Sequence, residues 1–512
     1  MQSATHPFLH MIHILLAGLA LAGLDACQTA KQDVLITHVR LIDGTGSDAF
    51  EGAVRIREGR ILDVGDLKAA SNDSVIDGRG LVLAPGFIDA HSHHLGHILR
   101  NPSSPATASQ GITTIVLGQD GSSEPMDSLA ALFRSRAFAV NIASYTGQTS
   151  LREQVMGEKE LLRTATAREI EQMQSLLTKE LSKGSLGLST GLEYEGAFYS
   201  SLEEVLALAQ TAAASNGRYI SHLRSEDFRL DEALSEIIEI GRKTGMPVQV
   251  SHIKIADKMC WGQAGRILSR MDSARQQGID ITADVYPYTY WNSTLKVLFP
   301  DKQYKDIRSA ALACQRLFDA DSSMLARFRP NTTYEGRMIA DLARERRETP
   351  AATLLHLIAA ADKYRVADPD ADDVEAIAGK SMLEADVRAF TQWKHSVICS
   401  DGNAGRHPRG YGSFPRVLGL YVREAGLMRL EEAIHKMTGL TAKQLGIQGR
   451  GLIQPGQAAD LVLFDPNAII DHATLQDSHA LSTGIHQVWV NGGLVFQDGQ
   501  TTGQHTGALL KR

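Results

Sequence analysis

The stretch from Leu81 to His97, LVLAPGFIDAHSHHLGH, constrains this chain more than any other. An apolar run passes through a Pro-Gly step and ends in His91 and His93. Side chains two apart in an extended strand point to the same face. A buried strand ending here therefore projects both imidazoles together from its C-terminal end. Paired imidazoles suit a divalent metal or an anionic intermediate, and parallel barrels keep their chemistry at that end of the strands. An isolated H-x-H is more often structural, so the remaining ligands must come from elsewhere in the chain.

The middle of the sequence alternates strand and helix patterns, which argues for parallel βα units. Strand candidates are Leu83–His91, Ile112–Leu117, Phe138–Ser144, Leu186–Thr190, Tyr219–Leu223, Pro247–His252, Ile281–Val285 and Ser396–Asp401. Helical patterns separate most of them, as in 167–181, 201–214 and 232–243, the last with the i, i+3, i+4 apolar spacing of a helix lying on a sheet. Eight such units predict an α/β fold with a (β/α)8 barrel. The seventh and eighth candidates are separated by far more chain than a normal connection needs. The excess, 290–390, is expected to be an insertion over the barrel mouth, a lid, with helices over 303–317 and 350–361. Short Val- and Ile-rich runs punctuated by Gly and Asp occur at 34–82 and again at 459–499. Neither group is long enough to bury its own faces. A small β-sandwich-like domain built from both chain ends is expected, 33–84 plus 447–512, flanking a catalytic barrel over 85–446.

Polar residues at strand C-terminal ends are the candidate site residues of such a barrel. The first strand contributes His91 and His93, the second is followed by Gln119-Asp120, the fifth ends in His222, the sixth in His252 and the eighth in Asp401. Asp120, His222 and His252 make an N2O donor set with an open fourth position, the composition of a catalytic Zn²⁺ site. Such an ion polarises a carbonyl and lowers the pKa of a bound water to about 7. Asp401 has the chemistry to take the water proton and pass it to a leaving amine.

Taken with APGFIDAHSH, GLSTGLEY, SHLR, VSHIK, DVYPYT, SDG and HPRGYGSFPRVLG, the chain resembles the D-aminoacylase (N-acyl-D-amino-acid deacylase) branch of the amidohydrolase superfamily over nearly all of its mature length. The resemblance implies metal-dependent hydrolysis of the amide of a small N-acyl-D-amino acid, in which activated water attacks the carbonyl and Asp401 shuttles the proton. It makes His222 and His252 ligands of a tight Zn²⁺ ion, and His91 and His93 the pair at a second, weaker position. It places Tyr194, Lys254, Tyr286, Ser293 and Arg409 around the substrate. An Arg fork and a Lys point charge both suit a carboxylate. Two positions depart from the pattern. Asp120 stands in a turn where relatives carry a metal-ligating cysteine; carboxylate is the harder ligand, which opens the site to Mn²⁺ or Co²⁺. Gln148 stands where relatives tend to carry a histidine.

Other readings stay open at this level. A cyclic amidase of dihydroorotase or hydantoinase type would need a carboxylated lysine at the fourth strand end, where Thr190 and Gly191 stand. A dipeptidase acting on D-residues would use the same site. A non-catalytic envelope scaffold would need none of the histidines.

The formal charge of −7 over 512 residues leaves no footprint for nucleic acid. The apolar segment 11–23 is too short for a comfortable membrane span. It is followed by Leu24-Asp25-Ala26-Cys27 and reads as a signal over 1–27 of lipoprotein type, with a plain cleaved signal or an uncleaved anchor as alternatives. The protein is expected to be exported, periplasmic or attached to a bacterial envelope membrane through lipidated Cys27. Cys260, Cys314 and Cys399 have no metal-type spacing and form no disulfide framework. Oligomeric state is not legible.

Overall fold

The structure, a computed structural model, describes residues 32–369, 371, 373–403 and 405–512. The leader and Cys27 lie outside these residues.

Eight short strands follow one another around a closed cylinder: Phe87–Asp89, Ile112–Leu117, Asn141–Ser144, Gly187–Gly191, Arg218–His222, Val248–Val250, Ile281–Val285 and Ser396–Ile398. Neighbours pair in parallel along Phe87–Asp89 to Asn141–Ser144 and along Gly187–Gly191 to Ser396–Ile398. Two junctions complete the cylinder. The Leu186 amide donates to the Ser144 carbonyl at 2.9 Å, and Thr146–Gly147 pairs with Leu188–Ser189. Between the eighth and first strands, Asp401 N donates to the His91 carbonyl at 2.8 Å and His93 N to the Gly402 carbonyl at 2.9 Å. The histidine pair and Asp401 thus sit on the closing seam itself.

The strands are apolar along their length because both faces are covered, one by the barrel interior and one by helices; ITTIVL is buried at every position. The helix Leu230–Thr244 shows the complementary pattern. It buries Ala233, Leu234, Ile237, Ile238 and Gly241 at 3–4-residue spacing and stops at Gly245, whose φ of +68° suits a residue without a β-carbon.

The expected first strand, Leu83–His91, is in fact two. Val82–Pro85 pairs with Leu461–Phe464 and with Arg40–Leu41 in an outer sheet, and only Phe87–Asp89 enters the barrel. The break falls at Gly86, where a β-carbon would run into the Thr113 side chain. Val82–Pro85 also explains how the chain ends meet: it lies between strands of the N-terminal and C-terminal segments and joins them edge to edge. The result is one continuous nine-stranded sheet that curls back on itself, Arg60 near one edge bridging Ala458. Its apolar side chains, among them Ile36, Leu41, Val54, Leu461 and Trp489, share one core.

The segment between the seventh and eighth barrel strands carries a three-stranded antiparallel sheet, Tyr290–Ser293, Met324–Phe328 and Glu375–Lys380, with the helices Ile307–Arg316, Ile339–Arg346 and Pro350–Ala367. It has its own apolar core, including Leu295, Phe299, Phe318 and Leu354. Among the described residues, no helix is long and apolar enough to cross a membrane. Cys260, Cys314 and Cys399 are free thiols, as expected, and Cys399 is buried.

A buried ion pair braces the third and fourth βα units. Arg152 donates to Glu204 at 2.5 Å and to the carbonyls of Gly196, Leu161 and Arg163 at 2.9, 3.1 and 2.7 Å. Gln148 donates to the other oxygen of Glu204 at 2.7 Å. Removing one member of such a pair strands the other charge, at a cost of about 3–5 kcal/mol. Glu204→Ala and Glu204→Gln are therefore both expected to lower the thermal midpoint, Glu204→Gln by less because it keeps an acceptor for Arg152. Midpoints in a thermal melt that equal the wild type's would show that the pair contributes little.

Candidate metal centre

The C-terminal ends of the first, second, fifth, sixth and eighth strands converge on one buried cluster. The chain bends sharply as it leaves three of them: Asp120, His252 and Asp401 have φ of +54°, +33° and +46°. Non-glycine residues avoid that region unless their surroundings hold them there, and such strain gathers at functional sites. The bends turn the three side chains inward.

Asp120 stands at the junction. Its Oδ1 lies 3.3 Å from His252 Nε2 and 3.5 Å from His91 Nε2, and its Oδ2 lies 3.4 Å from His93 Nε2. His222 Nδ1 is 3.1 Å from His252 Nε2. Asp401 Oδ1 is 3.4 Å from His93 Nε2 and 3.7 Å from His91 Nε2. Three donor groups result, each compact enough for one ion: Asp120, His222 and His252; His91, His93, Asp120 and Asp401; and Glu193, His222 and Glu226. Asp120 belongs to the first two.

The residues fit a divalent cation. Asp120 Oδ1 is buried, aimed at imidazole nitrogens, and has no hydrogen-bond partner. An unpartnered buried carboxylate oxygen is costly unless it binds something. Burial works to raise the Asp120 carboxyl, yet His91 and His252 hold it well below the usual carboxylate range. Burial and Lys254 both oppose a charge on His252, but Glu226, Asp120 and Asp401 together raise it to about 10. Burial likewise opposes a charge on His93, and Asp120 and Asp401 raise it to about 9. The field at the barrel mouth calls for positive charge between these groups.

The outward nitrogens of the histidines meet carboxylates that pattern reading of the sequence missed. His222 Nε2 is 2.9 Å from Glu193, and His252 Nδ1 is 3.0 Å from Glu226. Asp284 accepts from the His252 amide at 2.7 Å and lies 3.6 Å from His91 Nδ1. Carboxylates behind ligating imidazoles fix ring orientation and tautomer and raise basicity. The available signal was Glu193 inside GLSTGLEY and Glu226 just beyond SHLR, four positions after His222. Sequence spacing alone does not show which acid lies behind which ring.

A cleft of about 490 Å³ opens beside the cluster. Tyr194, Lys254, Tyr286, Ser293, Asp401 and Arg409 all line it. Arg409 donates to Asp401 Oδ2 at 2.5 Å and lies 4.8 Å from the Tyr286 ring centroid. The Tyr286 hydroxyl is buried with no partner, an unused donor at the cleft wall. The Tyr194 ring packs against His222, with centroids 4.5 Å apart. Lys254 is committed elsewhere: its ammonium donates to both oxygens of Glu226 at 2.7 and 2.8 Å and lies 2.7 Å from His252 Nδ1. Gln148 is buried, bonded to Glu204, and does not line the cleft.

At the fourth strand end, Thr190 bonds Tyr219 and Ser221, while Lys183 pairs with Asp127 and Glu180 nearer the surface. A lysine-bridged cyclic-amidase centre has no lysine to build on.

Imidazoles and carboxylates gathered at the mouth of a parallel barrel define the class, a metal-dependent barrel enzyme. The chain belongs to the amidohydrolase family, whose model matches residues 74–320 and 386–496. It is 33% identical to D-aminoacylase and 35% identical to N-acyl-D-aspartate deacylase, both of Alcaligenes xylosoxydans xylosoxydans. Each match covers 94% of this chain, and 98% and 95% of those proteins. Among solved structures, the chain matches a D-aminoacylase described for its binuclear metal center, with one-metal activation and second-metal attenuation (32% identity, TM-score 0.83). It also matches N-acyl-D-glutamate deacylase of Bordetella bronchiseptica, complexed with zinc and a phosphonate mimic of the tetrahedral intermediate (31% identity, TM-score 0.83). Both cover 94% of this chain and 100% of the solved chain.

If Asp120 joins both donor groups, Asp120→Ala should remove tightly held metal altogether, whereas Glu226→Gln should weaken metal affinity by about 10–100-fold. Metal analysis after dialysis against graded chelator reads both. Undiminished metal in the Asp120 variant would remove it from the ligand set.

Proposed function

We propose that the chain hydrolyses the amide bond of N-acyl-D-amino acids, releasing a D-amino acid and a carboxylate, with Zn²⁺ as its metal. The observation that carries this is the unpartnered Asp120 oxygen ringed by imidazoles, within reach of Asp401 and Arg409. Matches over 94% of the chain to three kinds of N-acyl-D-amino-acid hydrolase support it. Asp120, His222 and His252 would hold the tighter ion, and His91, His93, Asp120 and Asp401 a second, weaker one. With carboxylate where relatives have a thiolate, Mn²⁺ and Co²⁺ are admissible in place of Zn²⁺. A bound ion supplies Lewis acidity, polarising the scissile carbonyl and lowering the pKa of water to about 7.

This chain's own residues do the rest. Arg409 and the free Tyr286 hydroxyl offer donors for the substrate carboxylate, a charge-assisted pairing in a buried site. Tyr194 and Ser293 border the amide. Burial favours the neutral form of Asp401, but Arg409, His252 and His93 outweigh it and keep the carboxyl ionised, ready to accept a proton. Asp401 takes the proton of the attacking water and delivers it to the leaving nitrogen, so that an amine departs instead of an amide anion. Glu193 and Glu226 hold the His222 and His252 rings in place while this happens.

In the same reading, 33–84 and 447–512 form a small β-domain and 85–446 the catalytic barrel. The insertion over 290–390 acts as a lid, supported by the fact that Trp291, Val297, Leu298 and Leu317 form one wall of the cleft. Residues 1–27 export the chain, and Cys27 anchors it to a bacterial envelope membrane. Radiolabelled palmitate should then mark the wild type and not Cys27→Ser; label in neither makes the leader a plain export signal.

The activity is tested with N-acetyl-D- and N-acetyl-L-amino acids on enzyme loaded separately with Zn²⁺, Mn²⁺ or Co²⁺. Turnover of D- and not L-substrates is expected. Asp401→Asn should reduce kcat by at least about 1,000-fold, combining loss of proton transfer with loss of the Arg409 contact, while one tightly bound ion per chain remains. Loss of that ion as well would make Asp401 a ligand of the tight site.

A further inference from the structure

The relatives act on D-residues whose side chains differ, and they lie at nearly equal identity from this chain, so overall likeness leaves the side chain open. The walls of the cleft are more informative. Its two cations are already engaged: Lys254 donates to both oxygens of Glu226 and lies 2.7 Å from His252 Nδ1, and Arg409 is paired with Asp401 and, in the deacylase reading, serves the carboxylate common to all these substrates. Cations just behind the walls are engaged too. Lys302 donates to the Glu193 carbonyl at 2.7 Å and lies over the Phe198 ring, Lys258 donates to the Phe318 carbonyl at 2.8 Å, and Arg316 is paired with Asp257. Among the described residues lining the cleft, none offers an uncommitted positive charge.

The side of the cleft away from the histidines is apolar. Leu298, Leu317 and Trp291 belong to the insertion's core, and half-buried Val297 packs on it. Asp227 faces the same space and is nine-tenths buried or more. Its Oδ1 accepts from the Ser225 hydroxyl at 2.5 Å and from the Phe228 amide at 2.6 Å. Burial, and then the neighbouring Glu193, push its carboxyl up to about 7. An apolar side chain loses nothing by entering such a space, and covering Asp227 favours its neutral form. A carboxylate side chain would enter with no uncommitted counter-ion and face Asp227, since Glu193 and Glu226 already have His222, His252 and Lys254 as partners. Uncompensated like charges in a desolvated site are strongly unfavourable.

Building on the deacylase reading, we propose that the side-chain subsite of this cleft takes uncharged, apolar D-side chains, and that Asp227 and Val297 are residues that turn acidic ones away. Asp227 does so because a carboxylate beside it must either meet its ionised form or force it to take up a proton, and Val297 by keeping that part of the wall apolar. Selectivity here comes as much from repulsion as from fit.

The test is a comparison of kcat/KM for N-acetyl-D-leucine, N-acetyl-D-glutamate and N-acetyl-D-lysine on the Zn²⁺-loaded full chain, with calorimetric binding of the same three compounds. D-leucine is expected to exceed D-glutamate by at least about 100-fold in kcat/KM. Asp227→Asn and Val297→Lys should each narrow that ratio by about tenfold or more, chiefly through the KM for the glutamate substrate. Thermal melts show whether each variant is folded, and the two substitutions touch different elements, so one failure to fold leaves the other informative. Wild-type preference for the glutamate substrate overturns the proposal. So does preference for the lysine substrate, which would make Asp227 an attractor. Tighter binding of the leucine compound without turnover of any substrate would uphold the subsite and defeat the deacylase reading instead.

Discussion

Everything at the barrel mouth depends on how the Asp120 carboxylate is neutralised. A buried carboxylate costs several kcal/mol in lost hydration unless positive charge and hydrogen bonds replace the water. Asp120 has no hydrogen bond at Oδ1, and its neighbours are imidazoles, each of which can carry a proton or bind a metal. A proton on His93 or His252 satisfies the field partly. A divalent ion satisfies it better, because it places two charges at the point where several donors converge. The cluster therefore makes the same demand whichever ion fills it, and the identity of that ion is set by donor hardness and geometry. With two oxygens facing different histidines, Asp120 is also the group through which occupancy of one donor set is felt by the other.

The fold meets this demand by placing the cluster on the seam of the cylinder. The hydrogen bonds that close the barrel, Asp401 to His91 and His93 to Gly402, belong to the residues that supply the donors. A change in how the eighth strand meets the first would therefore be a change in donor geometry. The carboxylates behind the rings extend the same logic outward: Glu193, Glu226 and Asp284 fix imidazoles that the strands only aim. Lys254 completes one chain of such contacts, from ammonium to Glu226 to His252 to Asp120.

Pattern reading reached the barrel, the joining of the chain ends and the histidines and aspartates that gather at the barrel mouth because each leaves a local trace. Strand ends with paired or lone histidines, apolar runs of strand length and one oversized connection are visible without coordinates. It failed where the deciding contact is remote in sequence. Nothing near Leu83 says that Val82–Pro85 will be drawn into pairing with Leu461–Phe464, splitting what reads as one strand. Gln148 looks like a site position because of where it falls in the chain, yet Glu204 and Arg152 draw it into the core. Lys254 looks like a free carboxylate-binding cation, and only the coordinates show Glu226 holding it. Charged residues are the hardest to assign from sequence, because their role is decided by whichever opposite charge lies within about 4 Å.

The same consideration separates chemistry from specificity in this molecule. The imidazoles and carboxylates of the cluster stand at the ends of barrel strands, whose positions are constrained by the closed hydrogen-bonded cylinder. The walls that meet the substrate side chain come from the insertion and from the loop holding Asp227, which have their own core and their own hydrogen bonds. A substitution at Val297 or Asp227 can alter the charge of the cleft without touching a strand, whereas a substitution at Asp120 alters the centre itself. Relatives of near-equal identity can therefore differ in the residue they release while sharing one way of breaking the bond. For this chain the informative quantity is the balance of committed and uncommitted charge along the cleft, in which every cation already has a partner and one buried acid faces the space beside an apolar wall.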